Sequence, residues 1–401
     1  MKKLTYIHQY FKFPDENGGT RSYDLSKEFV AKGVEVIILT STSVKKSSKR
    51  WYVYKRDGLE IHEICIPYDN SFGKLRRVNS FFKFLFFTTI HLMKLNTDIV
   101  LATSTPLTVG IPALFKKWFG KTPFIFEVRD VWPEAVIAIG AIKNKSFQKI
   151  LYRLEKLIYK NAAAIVPLST DMQKSIVSRY PQFKDKTDIV IENIAEINRF
   201  QSNSEKIDLE KIIGFQPRFI VLYAGTFGKV NGIHKVIELA EKTLHIDKEL
   251  AYILVGSGAE KENVMQLAKD KNVLNKNIFI FDPISKSELP KWYNAVSMGS
   301  SFVIDIPELG ANSANKFFDT LAAGKPVLIN HKGWQAEVIR DRNVGFVLPY
   351  DVTDKEAEDF VNYTKNTLLI ESQEKSAIEL AKEKYSLKVA TKSYLKVFNK
   401  I

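Results

Sequence analysis

The sequence predicts an α/β protein built from two doubly wound parallel sheets that face each other across a cleft. Three observations carry that prediction. Short apolar, β-branched runs alternate with helical stretches along the chain, the pattern of parallel strands buried on both faces. The runs number thirteen, more than one sheet comfortably holds. Between the seventh and the eighth lies Glu196–Pro217, polar, rich in Asn, Ser, Glu and Lys and without a strand, so the chain divides there.

In order, the first unit (1–195) holds strands at Leu4–His8, Val34–Thr40, Leu59–Ile66, Asp98–Ala102, Phe124–Val128, Ala164–Leu168 and Asp188–Ile191. The second (196–384) holds them at Phe219–Tyr223, Tyr252–Val255, Asn277–Phe281, Phe302–Ile304, Val327–Ile329 and Phe346–Leu348. Tyr385–Asn399 reads as an amphipathic helix, so 385–401 is expected to pack back on the first unit. In such sheets ligands sit beyond the carboxyl ends of the strands, and the chemistry is sought in the loops there.

The 401 residues are 45% hydrophobic and 26% charged, a globular balance. No apolar run approaches a membrane span, and the lysines at the start precede no apolar signal core. Cys65 stands alone, which fits a reducing compartment and makes the cytoplasm the expectation. The net charge of +14 points to nucleic acid, anionic membrane or phosphorylated substrates. No nucleic-acid-binding signature accompanies it. Instead the charge concentrates in Phe72–Lys94, which has five Lys/Arg, no acid and Phe at six positions. That mixture suits a membrane interface, with Arg76, Arg77, Phe81, Phe82 and Lys83 as contacts. The alternative is an ordinary helix with its Phe face in the core and its cations in water.

Several motifs fail. Gly120-Lys121-Thr122 lacks the upstream glycine of a phosphate loop, and Gly256–Lys261 lacks the third glycine of a dinucleotide fingerprint. There is no Asp-x-Asp pair and only six scattered histidines, so no metal is expected. Phosphate charge then falls to helix termini, Lys and Arg.

Four loops remain informative. Gly18-Gly19 precedes a helix near Arg21 and lets backbone approach a ligand. Arg129, Asp130 and Glu134 come after a buried strand, placed either for electrostatic or acid/base work or as an internal Arg–Asp pair that staples the loop. Gly225, Gly228 and Lys229 come after the first strand of the second unit. A helix starting near Asn315 or Lys316 aims its amides at the cleft, with Asp319 a turn inside, and ends at Gly324 before Pro326. A capped helix whose acid complements the dipole is the plainer reading of Asp319.

The stretches "FIFEVRDVWPEAVIAIG", "NSANKFFDTLAAGKPVL" and "HQYFKFP…GGTRSYDLSKEFVAKGVEVIILT" carry a family likeness. Over nearly its whole length the chain resembles retaining glycosyltransferases of family 4, with the GT-B fold. The match is to their bacterial capsule and O-antigen branch, including N-acetylfucosaminyltransferase-like members. The resemblance implies that Asp319 holds the ribose hydroxyls of the nucleotide and that Asn312, Ser313, Ala314 and Asn315 face the sugar and diphosphate. It implies donor contacts at Gly18, Gly19, Gly225 and Thr226, and uracil recognition by backbone around Ile284. Where the family has a sugar-contacting acid, Ala311 stands here, with Glu308 a stand-in three residues earlier. Where it has Arg and Lys after the first strand of the second unit, Thr226 and Asn231 stand here, and Lys229 and Lys316 are the replacements.

The loops and the resemblance together imply a metal- and cofactor-independent transferase, moving a sugar, often N-acetylated, from a UDP donor with retention. Arg129 and Asp130 orient acceptor and sugar, and Lys229 and Lys316 meet the leaving diphosphate. The acceptor is a polyprenyl-diphosphate-linked glycan, reached by peripheral attachment to the inner face of the cell membrane. A nucleotide-sugar epimerase of the same fold and a non-catalytic donor-binding relative are the rival readings.

Overall fold

The computed structural model describes every residue except 1, 45, 47, 68–71, 73, 105 and 202–204, and of 74, 75, 77 and 78 the backbone alone. Seven strands form the first sheet: β1 (Lys3–Ile7), β2 (Glu35–Thr42), β3 (Trp51–Arg56), β4 (Leu59–Cys65), β5 (Ile99–Thr103), β6 (Phe124–Val128) and β7 (Ala164–Pro167). Their order is β3-β4-β2-β1-β5-β6-β7. Six form the second: β8 (Phe219–Ala224), β9 (Leu250–Val255), β10 (Ile278–Phe281), β11 (Met298–Ser301), β12 (Val327–Ile329) and β13 (Gly345–Val347), ordered β10-β9-β8-β11-β12-β13. Every pairing is parallel except β3 with β4. Helices cover both faces, so central strands such as Ile99–Thr103 are buried at every residue.

In the first sheet, α1 (Arg21–Ala31) covers one face. The other is covered by α2 (Lys74–Lys94), α3 (Gly110–Gly120) and the helix Lys145–Asn161, packed in sequence. The carboxy-terminal helix Leu387–Lys400 crosses back and lies on α1, inserting Ala390, Tyr394, Val397 and Phe398 into the core under that helix. Glu127, wholly buried on β6, accepts from the Tyr394 hydroxyl and ion-pairs with Arg21 at 3.0 Å. Burial alone would raise the Glu127 carboxyl, but Arg21 and Arg129 hold it down to about 2. One charge cluster thus ties the start of α1, the end of β6 and the last helix together.

The structure departs from the sequence expectations at three strands. β3 was not expected: it is the edge strand, with exposed Tyr52, Val53 and basic residues in place of a continuous apolar run. Residues 188–191 form no strand; they keep one bond beyond β7, from Ile191 N–H to the Pro167 carbonyl at 3.1 Å. β11 is Met298–Ser301, ahead of the apolar Phe302–Ile304. Its residues are small because the helix Asn315–Ala322 presses on it: a Cβ on Gly299 would lie 2.1 Å from Thr320 Oγ1.

Candidate active site

The carboxyl ends of β1 and β8–β10 and the helix Asn315–Ala322 enclose a cavity of about 420 Å³. Gly18 and Gly19 line it from the first unit; Gly225, Thr226, Ile284, Lys286, Ala314, Asn315, Lys316 and Asp319 line it from the second. Gly19 is required by close approach, since a Cβ there would stand 2.5 Å from Asn315 Nδ2. Gly225 is held by its backbone, at φ +157°, with the flexible Lys316 side chain packed over it.

The helix begins at Asn315; Ala314, extended at ψ 130°, offers no side-chain cap, so the Asn315 and Lys316 amides are left uncapped at the cavity while the Phe317 amide bonds the Ala314 carbonyl. It ends where Gly324 turns with φ +67°. Asp319 lies one turn inside and is buried, but it is not waiting free. The Lys286 ammonium bonds its Oδ2, both side chains being only 8% exposed. Lys286 also stands 5.7 Å over the Phe200 ring. Lys316 runs the other way, with Nζ 4.8 Å over the Tyr223 ring. Crowding by protein pulls its ammonium down to about 8, against the opposing pull of Asp319. No carboxylate lies within ion-pair distance of Lys316 among the described residues.

Behind Asp319 a second charged layer joins the two units. Arg199 ion-pairs with Asp24 of α1 at 2.5 Å and bonds Thr20 at 3.0 Å. Glu196 sits beside them, its carboxyl pushed up to about 7 by burial and then by Asp24, against the pull of Arg199. The units also touch directly. Asp171 accepts from the Trp334 amide at 2.8 Å, and Ser169 donates to the Ala311 carbonyl at 2.7 Å.

Several candidate residues lie elsewhere. Ala311 is packed among Val131, Leu168 and Met172, so its place is apolar and holds no carboxylate. Glu308 rides a short helical turn, Pro307–Gly310, that meets the turn Glu134–Ala138 of the first unit, and it does not line the cavity. Lys229 is exposed and outside the cavity lining, so Lys316 and Lys286 are the cations that reach it. Asn231 bonds the Thr226 carbonyl at 2.7 Å. Asn312 and Ser313 are a step removed: the Asn312 carbonyl accepts from Trp334 Nε1 at 3.2 Å, and the Ser313 carbonyl from Asn193. Arg129 and Asp130 follow β6 directly and are not in the cavity lining. The Arg129 amide donates to Ser104 Oγ at 2.9 Å, and its guanidinium meets His8 Nε2 at 3.3 Å. Burial and Arg129 pull the His8 imidazole down to about 3, so it is neutral and accepts. Glu134 is a staple, pairing with Arg179 at 3.1 Å. Sequence reasoning misses Lys286, because it reads the loop around Ile284 for its backbone alone, and misses Glu196 and Arg199, because it reads the polar segment between the units only as a boundary.

On α2, Phe84, Thr88 and Leu92 face the core, while Phe82 and Phe86 are 63% and 60% exposed and Ile90 43%. Arg76 and Lys83 are exposed and Phe81 is half-buried; the side chain of Arg77 lies outside the described residues. The row continues on the same side of the sheet with Phe115, Trp118 and Phe119 of α3 and Phe147 and Ile150 of Lys145–Asn161. Among the described residues no helix is long and apolar enough to cross a membrane.

Residues 18–188 match the Glycosyl transferase 4-like domain and residues 205–384 the Glycosyl transferases group 1 domain. Spore coat protein SA of Bacillus subtilis is 21% identical over 229 residues, 54% of this chain and 59% of that protein. "Putative colanic acid biosynthesis glycosyl transferase WcaI" of Escherichia coli is 22% identical over 361 residues, 83% and 84% of the two chains. With the first three curated relatives the chain spans 55–62% of their length. Anabaena Alr3699/HepE in complex with UDP-glucose superposes with a TM-score of 0.72 over 100% of both chains, at 13% identity.

Proposed function

The chain belongs to the glycosyltransferases of the GT-B fold, a 4-like domain followed by a group 1 domain, and from that premise we propose that it transfers a sugar from a UDP-activated donor with retention of configuration. The observation that carries the reading is the cavity itself. One wall is the open amino end of the helix Asn315–Ala322, with two lysines and a buried aspartate beside it. Asp319 Oδ2 is taken by Lys286, leaving Oδ1 to accept from the ribose. The diphosphate lies against the helix amides, Lys316 and Gly225. Binding of UDP-glucose by a protein of this fold supports the nucleotide. Lys316 supplies the positive charge that Thr226 and Asn231 do not.

In the transfer, the bond from the anomeric carbon to the phosphate oxygen breaks. The acceptor hydroxyl oxygen bonds to that carbon from the same face, and its proton passes to the departing phosphate. Charge builds on the leaving diphosphate, where Lys316 and the amides are already in place. No metal is required by this arrangement. Arg129, held by Ser104 and His8, and Asp130 orient the acceptor.

The acceptor is a polyprenyl-diphosphate-linked glycan of capsule or O-antigen type, met at the inner face of the membrane. A surface row of Phe82, Phe86 and Ile90 beside Arg76 and Lys83 supports that attachment, because reversible binding needs an apolar and an electrostatic signal together. The test is calorimetry with UDP, then transfer from UDP-sugars to short prenyl-diphosphate sugars with product anomers read by NMR. UDP binding with an α-product from an α-donor is expected. Absence of UDP binding overturns the reading, and an inverted product overturns the retaining step.

A further inference from the structure

The row of exposed side chains on α2 leads into a groove remote from the nucleotide cavity, of about 680 Å³, between that helix and the edge strand β3. Ile90 belongs to both: it is 43% exposed and also lines the groove. Three cations line it, Lys49, Arg50 and Lys94, and no Asp or Glu does. The Arg50 guanidinium lies 4.2 Å above the Phe87 ring, which fixes its plane and leaves its N–H edges for a ligand. Neither Arg50 nor Lys94 has a carboxylate within ion-pair distance among the described residues; the neighbouring acids are engaged, Glu63 with Lys46 at 2.8 Å and Glu60 with His62 at 2.7 Å. One wall is rigid: Trp51 stacks on His91 with centroids 4.2 Å apart, and His91 is bonded to His62 at 2.7 Å.

We propose that this groove is a headgroup site for one anionic phospholipid. The phosphate meets Arg50 and Lys94, the glycerol lies against Trp51 and His91, and the chains leave past Ile90 into the row formed by Phe86 and Phe82. Charge without a counter-charge calls for an anion, and continuity with an apolar surface selects a lipid over a free ion. The assignment rests on the membrane attachment proposed above and deepens it: the protein binds anionic membrane through a saturable pocket as well as through diffuse charge.

The experiment uses full-length protein carrying fluorotryptophan, with the Trp51 resonance identified by its loss in Trp51→Phe. Dihexanoyl phosphatidylglycerol, below its micelle concentration, is expected to shift Trp51 saturably, while the matching phosphatidylcholine and inorganic phosphate do not. Arg50→Gln with Lys94→Gln is expected to weaken that binding about twenty-fivefold, taking about fivefold for each lost cation. Phe82→Ser with Phe86→Ser leaves the Trp51 response to the short lipid in place while lowering attachment to liposomes. An equal response to inorganic phosphate overturns the lipid assignment. Wild-type protein that binds phosphatidylglycerol liposomes without any Trp51 response overturns the groove and leaves the attachment standing; protein that ignores such liposomes at low salt overturns the attachment itself.

Discussion

Removing either member of the Lys286–Asp319 pair tests the centre of the site, because the two roles of Asp319 then separate. Both side chains are 8% exposed and bonded to each other, so each neutralises a charge that water reaches only from the cavity. Breaking such a pair strands one buried charge, at a cost of about 3–5 kcal/mol. Lys286→Met and Asp319→Leu should each lower the unfolding free energy by about that amount, while the double variant, apolar on both sides, recovers most of it. Binding behaves differently. Without the carboxylate the ribose hydroxyls lose their acceptor, about 1–3 kcal/mol or roughly five- to 150-fold in Kd for UDP. The double variant should therefore regain stability but not affinity. Urea unfolding of the four proteins and calorimetry with UDP give both quantities. Stability unchanged in the single variants would show that the pair is not coupled, and recovered UDP affinity in the double variant would remove Asp319 from the nucleotide site.

Lys316, with its ammonium pulled down to about 8, is charged at neutral pH and loses its proton above that. UDP affinity should fall as pH rises from 7 to 9, and Lys316→Met should be weak at every pH; a wild-type affinity flat over that range refutes the phosphate role. Glu196, pushed up to about 7, binds a proton more tightly folded than unfolded, so its stabilising contribution is complete below about pH 4.5 and is lost as pH rises towards 7. Glu196→Gln should flatten that part of the stability profile and gain on the order of 2 kcal/mol at pH 8, read by urea unfolding. Transfer in EDTA should match the rate in magnesium, and a large reversible loss on chelation would require a metal in the mechanism.

Where most of the strands fall and where the site helix starts are properties of local sequence. Continuous apolar runs can only be buried on both faces, and a polar loop, a start at Asn315 and a stop at Gly324 are set within a few residues. The cavity was legible for the same reason, since loops at the carboxyl ends of parallel strands converge whatever their composition. β3 escaped because an edge strand needs no apolar pattern, and β11 was misplaced because its residues answer to Thr320 of a distant helix. Tertiary structure alone decided which cations line the cavity. Lys229 carries the more suggestive local setting yet is exposed, whereas Lys286, in a loop read only for its backbone, meets Asp319 across 33 positions of the chain. It also decided that Ala311 is sealed by Val131, Leu168 and Met172, and that Tyr394 reaches Glu127 across 267 positions. Charge pairing and burial depend on which segments meet, and a chain's local pattern holds no record of its partners until it has folded.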